Sequence, residues 1–164
     1  MRRLIANSPI HYSEYFEVDV AEFYRRACTM GLEGLVSKQR NGRYQSDRTD
    51  TWRKVTCRRR ETLRIVGYAM KDDRFEGLYL AREEEGELLY AGKVHHGLSR
   101  DSTLDVMRRL KPLIQPTQAL TKKVKKPKAI WVKPDLLAEI EYRAQTETGK
   151  LRHPSFKGLR EDLA

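Results

Sequence analysis

Apolar residues recur with a helical period near the start of the chain and alternate in short runs farther along. The residues at helical spacing are Val20, Phe23, Tyr24 and Ala27. Asp19 precedes them and Gly31 follows them, and these residue types often begin and end helices. We therefore predict one amphipathic helix here, with its aromatic stripe packed into a core.

Short apolar runs on both sides of this helix predict strands over residues 10–16, 34–39 and 52–55. The polar loop 41–50 contains the turn signal Asn41-Gly42, so the last two strands should be neighbours. Side chains from neighbouring strands can face one cleft. Glu33, Lys38 and Lys54 then supply a carboxylate and two ammonium groups, which suit a divalent metal and nucleotide phosphates.

The second half of the chain has a different pattern. Strands are predicted over 63–70, 78–81 and 88–94, with turns at 71–74 and 83–87. The helix that follows is expected to begin near Ser99 or Asp101, to line one side with Leu104, Met107 and Leu110, and to stop before Pro112.

Residues 115–128 have no apolar period and contain a lysine cluster, so a mobile loop is expected there. Two more strands are predicted over 130–132 and 136–142. Three strands, a helix and two strands is the order of an OB-fold, a small five-stranded barrel. We therefore predict an α+β chain with a boundary near Cys57, and with residues 58–164 forming the OB-fold.

The charge balance favours a polyanionic partner. The net charge is +10, and 34% of the residues are charged. Nucleic acid is the first candidate. The residues expected to contact DNA are Arg58, Arg59, Arg60, Lys122, Lys123, Lys125 and Lys126. The sequence has no run of about 18 apolar residues and no signal-peptide core, so a cytoplasmic location is expected.

Three segments carry a resemblance to a known family. The segment Glu33-Gly34-Leu35-Val36-Ser37-Lys38 resembles motif IV of the ATP-dependent DNA ligases, and Trp52-Arg53-Lys54-Val55 resembles most of motif V. Residues 152–162 are similar to motif VI of the bacterial ligase D branch, which acts in end joining. The resemblance implies that residues 1–57 form the C-terminal part of a nucleotidyltransferase domain.

The resemblance also implies roles for individual residues. Glu33 would hold Mg²⁺ near ATP, and Lys38 and Lys54 would contact the α-phosphate. Motif VI would orient the leaving pyrophosphate through Arg152, Arg160 and Asp162. The implied cofactors are ATP and Mg²⁺, and the implied partner is nicked or broken duplex DNA in the bacterial nucleoid.

The chain departs from the family pattern at three places. Thr56 and Leu163 stand where the family normally has lysines. The sequence has no KxDG motif, which supplies the adenylated lysine in the family. Lys71-Asp72-Asp73-Arg74 mimics the start of that motif, but it falls in a predicted OB-fold turn.

Without that lysine the chain should not start a ligation cycle alone. Two alternatives to a ligase portion stay open. One is a non-enzymatic basic OB module that binds DNA. The other is one half of a two-part ligase, whose partner is the N-terminal portion with the KxDG lysine.

Overall fold

The computed structural model describes residues 9, 15–43 and 45–160. The chain divides into two compact units, Met1–Val55 and Thr56–Ala164. Most of the strand predicted over 10–16 lies outside the described residues. No helix within the described ranges is long and apolar enough to cross a membrane.

The first unit contains the predicted helix, α1 (Val20–Thr29). The Asp19 carboxylate accepts a hydrogen bond from the Glu22 backbone N–H at 2.8 Å, which caps the helix. The aromatic stripe packs only in part, because Ala27 is buried whereas Phe23 and Tyr24 are half-buried. After α1 come two paired strands, β1 (Gly34–Lys38) and β2 (Trp52–Thr56).

The second unit is built mainly from strands. Its elements are β3 (Arg59–Lys71), β4 (Arg74–Glu84), β5 (Glu87–Val94), α2 (Arg100–Leu110), a 3₁₀ turn (Lys111–Leu113), β6 (Ala129–Trp131), β7 (Leu137–Tyr142), β8 (Ala144–Gln145), β9 (Leu151–Arg152) and β10 (Ser155–Leu159). The predicted order of three strands, a helix and two strands is confirmed, and β8, β9 and β10 are additional. Arg59 and Arg60 begin β3, so the basic run belongs to this unit.

Five strands form an antiparallel path in the order β10-β7-β3-β4-β5, and β6 pairs with the far end of β3. The two edges of this path meet at one isolated bridge between His96 and Ser155. The barrel is therefore not closed by a continuous ladder. Gly97 is required beside this bridge, because a Cβ there would lie 2.2 Å from the Phe156 carbonyl oxygen.

Tight hairpins join the first strands of the sheet. Asp72 and Asp73 both have positive φ, at 47° and 57°, and so do Glu85 and Gly86 at the next turn. Positive φ at two central residues matches the right-handed twist of paired strands. Both predicted turns are present, and Lys71 therefore lies at a hairpin of the OB unit.

Alternate residues of the central strands fill two cores. One face contributes Ile65 and Leu80 to a cluster with Val106 and Leu110 of α2. Leu104, which was expected in this core, is 62% exposed. The prediction failed because Val106 and Leu110, one helical turn apart, share the face that meets the sheet.

The segment 115–128 covers the other face of the sheet. It has no helix or strand, as expected, but Leu120 is buried in the second core with Val66 and Tyr79. Thr121 exchanges hydrogen bonds with Leu88, each at 3.0 Å. The expected mobile loop is thus fastened to β5 by contacts distant in sequence.

Candidate functional site

The first unit brings Glu33 and Lys54 together. Glu33 lies directly before β1 and Lys54 lies within β2. The Lys54 Nζ is 2.5 Å from the Glu33 Oε1. Both side chains are more than half exposed, at 68% for Glu33 and 58% for Lys54. An exposed ion pair contributes little to stability, so either group can exchange its partner for a ligand at small cost.

Lys38 is held by an aromatic ring. Its Nζ lies 4.0 Å from the ring centroid of Trp52, on the neighbouring strand. This cation–π contact favours one orientation of the lysine. Trp52 lies in the segment that resembles motif V, far from Lys38 in sequence. The contact between the two side chains depends on the pairing of β1 with β2. The strand pair therefore carries the two lysines predicted to contact the α-phosphate, and Glu33 lies directly before its first strand.

The donor set around Glu33 limits the metal it can hold. The described parts of the chain contain no group of three or more His, Cys, Asp or Glu residues arranged for a metal ion. Mg²⁺ in nucleotide sites is commonly held by one or two carboxylates, with phosphate oxygens and water completing the shell. Glu33 fits that type of site and does not fit an all-protein metal cage.

The predicted residues of motif VI lie in the second unit. Arg152 is exposed on β9, and Arg160 is half-buried directly after β10. The Arg160 backbone N–H donates to the Leu137 carbonyl at 2.9 Å, which anchors that end of the sheet. Asp162 lies outside the described residues.

A buried carboxylate organises the predicted arginine cluster. Glu141 on β7 is 8% exposed and accepts a hydrogen bond from Arg58 at 2.7 Å. Arg60 and Lys157 lie 3.4 Å and 3.3 Å from the same carboxylate. The hydrogen bond from Arg58, aided by Lys157, lowers the pKa of Glu141. The sequence did not point to Glu141, because Arg58 is 83 positions away and no local pattern links the two.

Two contacts hold the loop that carries the lysine cluster. Lys126 Nζ lies 5.3 Å from the ring of Tyr90, and Gln118 hydrogen-bonds both backbone groups of Val124. Burial raises the pKa of Tyr90 to about 12, so its ring stays neutral. The exposed members of the cluster are Lys122, Lys123 and Lys125. The contacts of Val124 and Lys126 therefore tie this part of the loop to the protein.

The rings of the two neighbouring histidines lie in contact, tilted by 40°. The rings of His95 and His96 are 4.0 Å apart. Burial lowers the pKa of His95, and the charges of His96 and Lys93 lower it further.

Comparison with known proteins decides the family. The family model for the ATP dependent DNA ligase C terminal region matches residues 71–163. The chain belongs to this ligase family. The matched range covers most of the OB unit and contains motif VI.

Individual relatives extend the ligase likeness over nearly the whole chain. The multifunctional non-homologous end joining protein LigD of Pseudomonas aeruginosa is 35% identical over 94% of this chain. The solved ligase domain of M. tuberculosis LigD matches 98% of the chain with a TM-score of 0.64 and 28% identity. A mycobacterial ligase D complexed with ATP and MES matches the same share with a TM-score of 0.59.

The predicted fold class is confirmed by these matches, because the chain matches a ligase domain whose C-terminal part is an OB-fold. The chain spans 19% of the Pseudomonas relative and 55% of the solved M. tuberculosis ligase domain. The KxDG lysine of the ligases has no counterpart in the printed sequence.

Proposed function

We propose that this chain supplies the OB-fold and part of the phosphate-contacting surface of a ligase D that seals DNA breaks in end joining. The observation that carries the proposal is the family match over 71–163. The Glu33–Lys54 pair supports it from outside that range. In this proposal residues 1–57 belong to the nucleotidyltransferase domain, and the protein works on DNA in the bacterial cytoplasm.

The two lysines stabilise charge during adenylyl transfer. Attack on the α-phosphorus of ATP builds negative charge on its non-bridging oxygens, and fixed ammonium groups offset that charge. Lys38 is oriented by Trp52, and Lys54 leaves Glu33 for a phosphate oxygen. Thr56 offers no positive charge where the family has a third lysine, so one phosphate contact is absent.

Glu33 is the residue that would hold Mg²⁺, because its carboxylate becomes available when Lys54 turns to a phosphate oxygen. Mg²⁺, when bound, neutralises phosphate charge and orients the phosphates for in-line attack. The Glu33 carboxylate lies at the start of β1, next to the strand that carries Lys54.

The arginines of motif VI act on the leaving group. Their planar forks suit bidentate contact with pyrophosphate oxygens. Arg152 and Arg160 are the candidates, and Asp162 is the acid assigned to the same motif. Leu163 cannot supply the lysine that normally ends the motif, which removes one more positive contact.

The DNA contact comes from the second unit. The exposed lysines Lys122, Lys123 and Lys125 on the loop, together with Lys126, track the phosphate backbone without reading sequence. Arg59 adds a further positive charge at the start of β3. Arg58 and Arg60 contribute less than the sequence suggests, because Glu141 already pairs with both.

Salt-dependent binding tests the DNA contact. Affinity for a duplex should fall linearly with the logarithm of salt, by about 0.9 units per phosphate neutralised. A variant with Gln at the four loop lysines should have a shallower slope, whereas the control Arg74→Gln, at a hairpin, should match wild type. An unchanged slope in the four-lysine variant would contradict this assignment.

Nick sealing tests the proposed function as a whole. The measured protein is a fusion in which the KxDG-bearing part of a LigD ligase domain precedes Met1. The fusion should seal nicked duplex with ATP and Mg²⁺. Lys54→Ala should slow sealing by about 10²–10³-fold, the usual cost of losing one preorganised charge-stabilising group.

Lys71→Ala is the matched control, because Lys71 lies at an OB hairpin, and it should seal at the wild-type rate. Equal sealing by Lys54→Ala and wild type would refute the assigned role. A fusion that binds DNA but never seals would favour the non-enzymatic OB module instead.

A further inference from the structure

A polar pocket of about 310 Å³ lies where the two edges of the OB sheet meet. Its lining combines positive and hydrogen-bonding side chains from four parts of the unit. The residues that matter here are Arg58, His96, Glu141, Arg143, His153 and Ser155. His153 and Ser155 lie within the segment assigned to motif VI, so the inference made here rests on the proposed function and extends it to side chains beyond Arg152 and Arg160. Arg58 has so far been used only as a DNA contact.

The fold holds the His96 side of the pocket firmly. The Phe156 backbone N–H donates to the His96 carbonyl at 2.9 Å, beside the bridge between His96 and Ser155. Gly97 lets the loop approach β10 closely, because any Cβ there would overlap the Phe156 carbonyl and the Ser155 hydroxyl. The backbone on the His96 side of the pocket is thus preorganised for a ligand.

The opposite side is held by the short hairpin of β8 and β9. The Arg143 backbone N–H donates to the Arg152 carbonyl at 3.1 Å. His153 follows with φ of +52°, an uncommon conformation for a residue with a side chain. Backbone conformations of this kind often occur at ligand sites, and here the strained residue lies on the pocket wall.

The charges in the pocket favour an anion. Among the lining residues that the structure describes, Glu141 is the only acid, and Arg58 and Lys157 neutralise it at 2.7 Å and 3.3 Å. Within residues 15–43 and 45–160, no carboxylate forms an ion pair with Arg143. Arg143 is exposed, so its guanidinium can meet a ligand from solvent.

We infer that this pocket binds a phosphate group, with Arg143 as the main charge contact and His96 and His153 as hydrogen-bonding walls. Glu141 acts as a positioning residue that fixes Arg58 at the rim. A planar guanidinium and nearby imidazoles suit the tetrahedral oxygens of phosphate. The phosphate has two possible sources: a free pyrophosphate or polyphosphate, and the phosphate at a DNA strand end.

Imidazole NMR of the full chain tests the inference. Pyrophosphate, added at constant ionic strength, should shift the His96 and His153 signals saturably. Arg143→Gln should weaken this binding by about tenfold or more, the usual effect of losing one charged hydrogen bond. Arg74→Gln removes the same charge at a distant hairpin turn of the sheet and should leave the affinity unchanged.

A second arm separates the two sources of phosphate. Short duplexes with a 5′-phosphate or a 5′-hydroxyl are compared at the same histidine signals. Shifts that need the 5′-phosphate identify a DNA end, and shifts with pyrophosphate alone identify the free anion. Equal weakening in both arginine variants, or no saturable shift with any phosphate, would overturn the inference.

Discussion

The two units of the chain treat their apolar residues in opposite ways. In the second unit, Ile65, Leu80 and Ile140 have no exposed surface, and two cores sandwich the central strands. In the described part of the first unit, Ala27 is the buried apolar residue, while Met30 is 77% exposed. The second unit therefore has the core of an independent domain, and the first has a sheet pair with little of its own to pack against.

The ion pairs differ in the same sense. Glu33 and Lys54 in the first unit meet at 2.5 Å with both side chains in solvent. Glu141 in the second unit is buried and surrounded by three cations. Exposed ion pairs exchange partners readily. Removing a buried acid costs more, because it leaves the paired cations without their partner. The two lysines to which we assign charge stabilisation at the α-phosphate thus lie on the less constrained unit.

Hydrogen exchange should show the largest difference between the units. Amides of β3, β4 and β7 should exchange only by global unfolding, which costs about 5–15 kcal/mol in ordinary domains. Amides of α1, β1 and β2 should exchange earlier, by local opening. Equal, strong protection from α1 to β7 would break the comparison. It would show that the first unit has a packing partner, for example in a dimer.

A matched pair of leucine truncations sharpens the same comparison. Leu80→Ala removes a side chain with 0% exposure and should destabilise the protein by about 2–5 kcal/mol. Leu32→Ala removes a side chain that is 51% exposed and should change stability by no more than about 0.5 kcal/mol. Urea unfolding followed by circular dichroism measures both. Similar losses in the two variants would contradict the contrast in packing.

A smaller effect is expected at Glu141. Its pKa is lowered from 4.5 in the folded protein, so its carboxylate stabilises the fold above that pH and loses the effect as pH falls through the folded pKa. Glu141→Gln should therefore cost about 1–3 kcal/mol at pH 7, and the difference from wild type should vanish in acid.

Urea midpoints between pH 3 and pH 7 give this dependence. Glu147→Gln is the control, since Glu147 is exposed and lies near the same strands in sequence. If the loss of stability in Glu141→Gln stayed the same at the lowest pH, the effect of Glu141 would come from the shape of its side chain and not from its charge.

Local signals predicted the elements that local chemistry controls. The Asp19 cap, the Asp72-Asp73 turn and the strand order around α2 all follow from residue types at fixed spacing. Strand β10 escaped prediction because Ser155–Leu159 contains lysine, glycine and a register shift, which hide the alternation. The anchoring of Leu120 also escaped, because its partners on β4 and β5 are far away in sequence.

Motifs named residues of the candidate site, but the contacts of those residues depend on tertiary structure. Glu33, Lys38 and Lys54 were named in this way, and the structure places the two lysines on paired strands, with Glu33 directly before the first. Their roles stay predictions. The pairing of Arg58 and Arg60 with Glu141 could not be foreseen, because strand register decides which acid faces which base. The phosphate pocket depends likewise on the bridge between His96 and Ser155.

Labelling with α-labelled ATP tests the central claim most directly. The chain is incubated with ATP and Mg²⁺, denatured, and examined by gel and mass measurement. We expect no covalent adenylate on this chain alone, because charge-stabilising lysines cannot replace a nucleophilic amine placed in line with the leaving pyrophosphate. The fusion carrying a KxDG lysine should be labelled. A labelled band on the chain alone that disappears in Lys71→Ala would contradict the account.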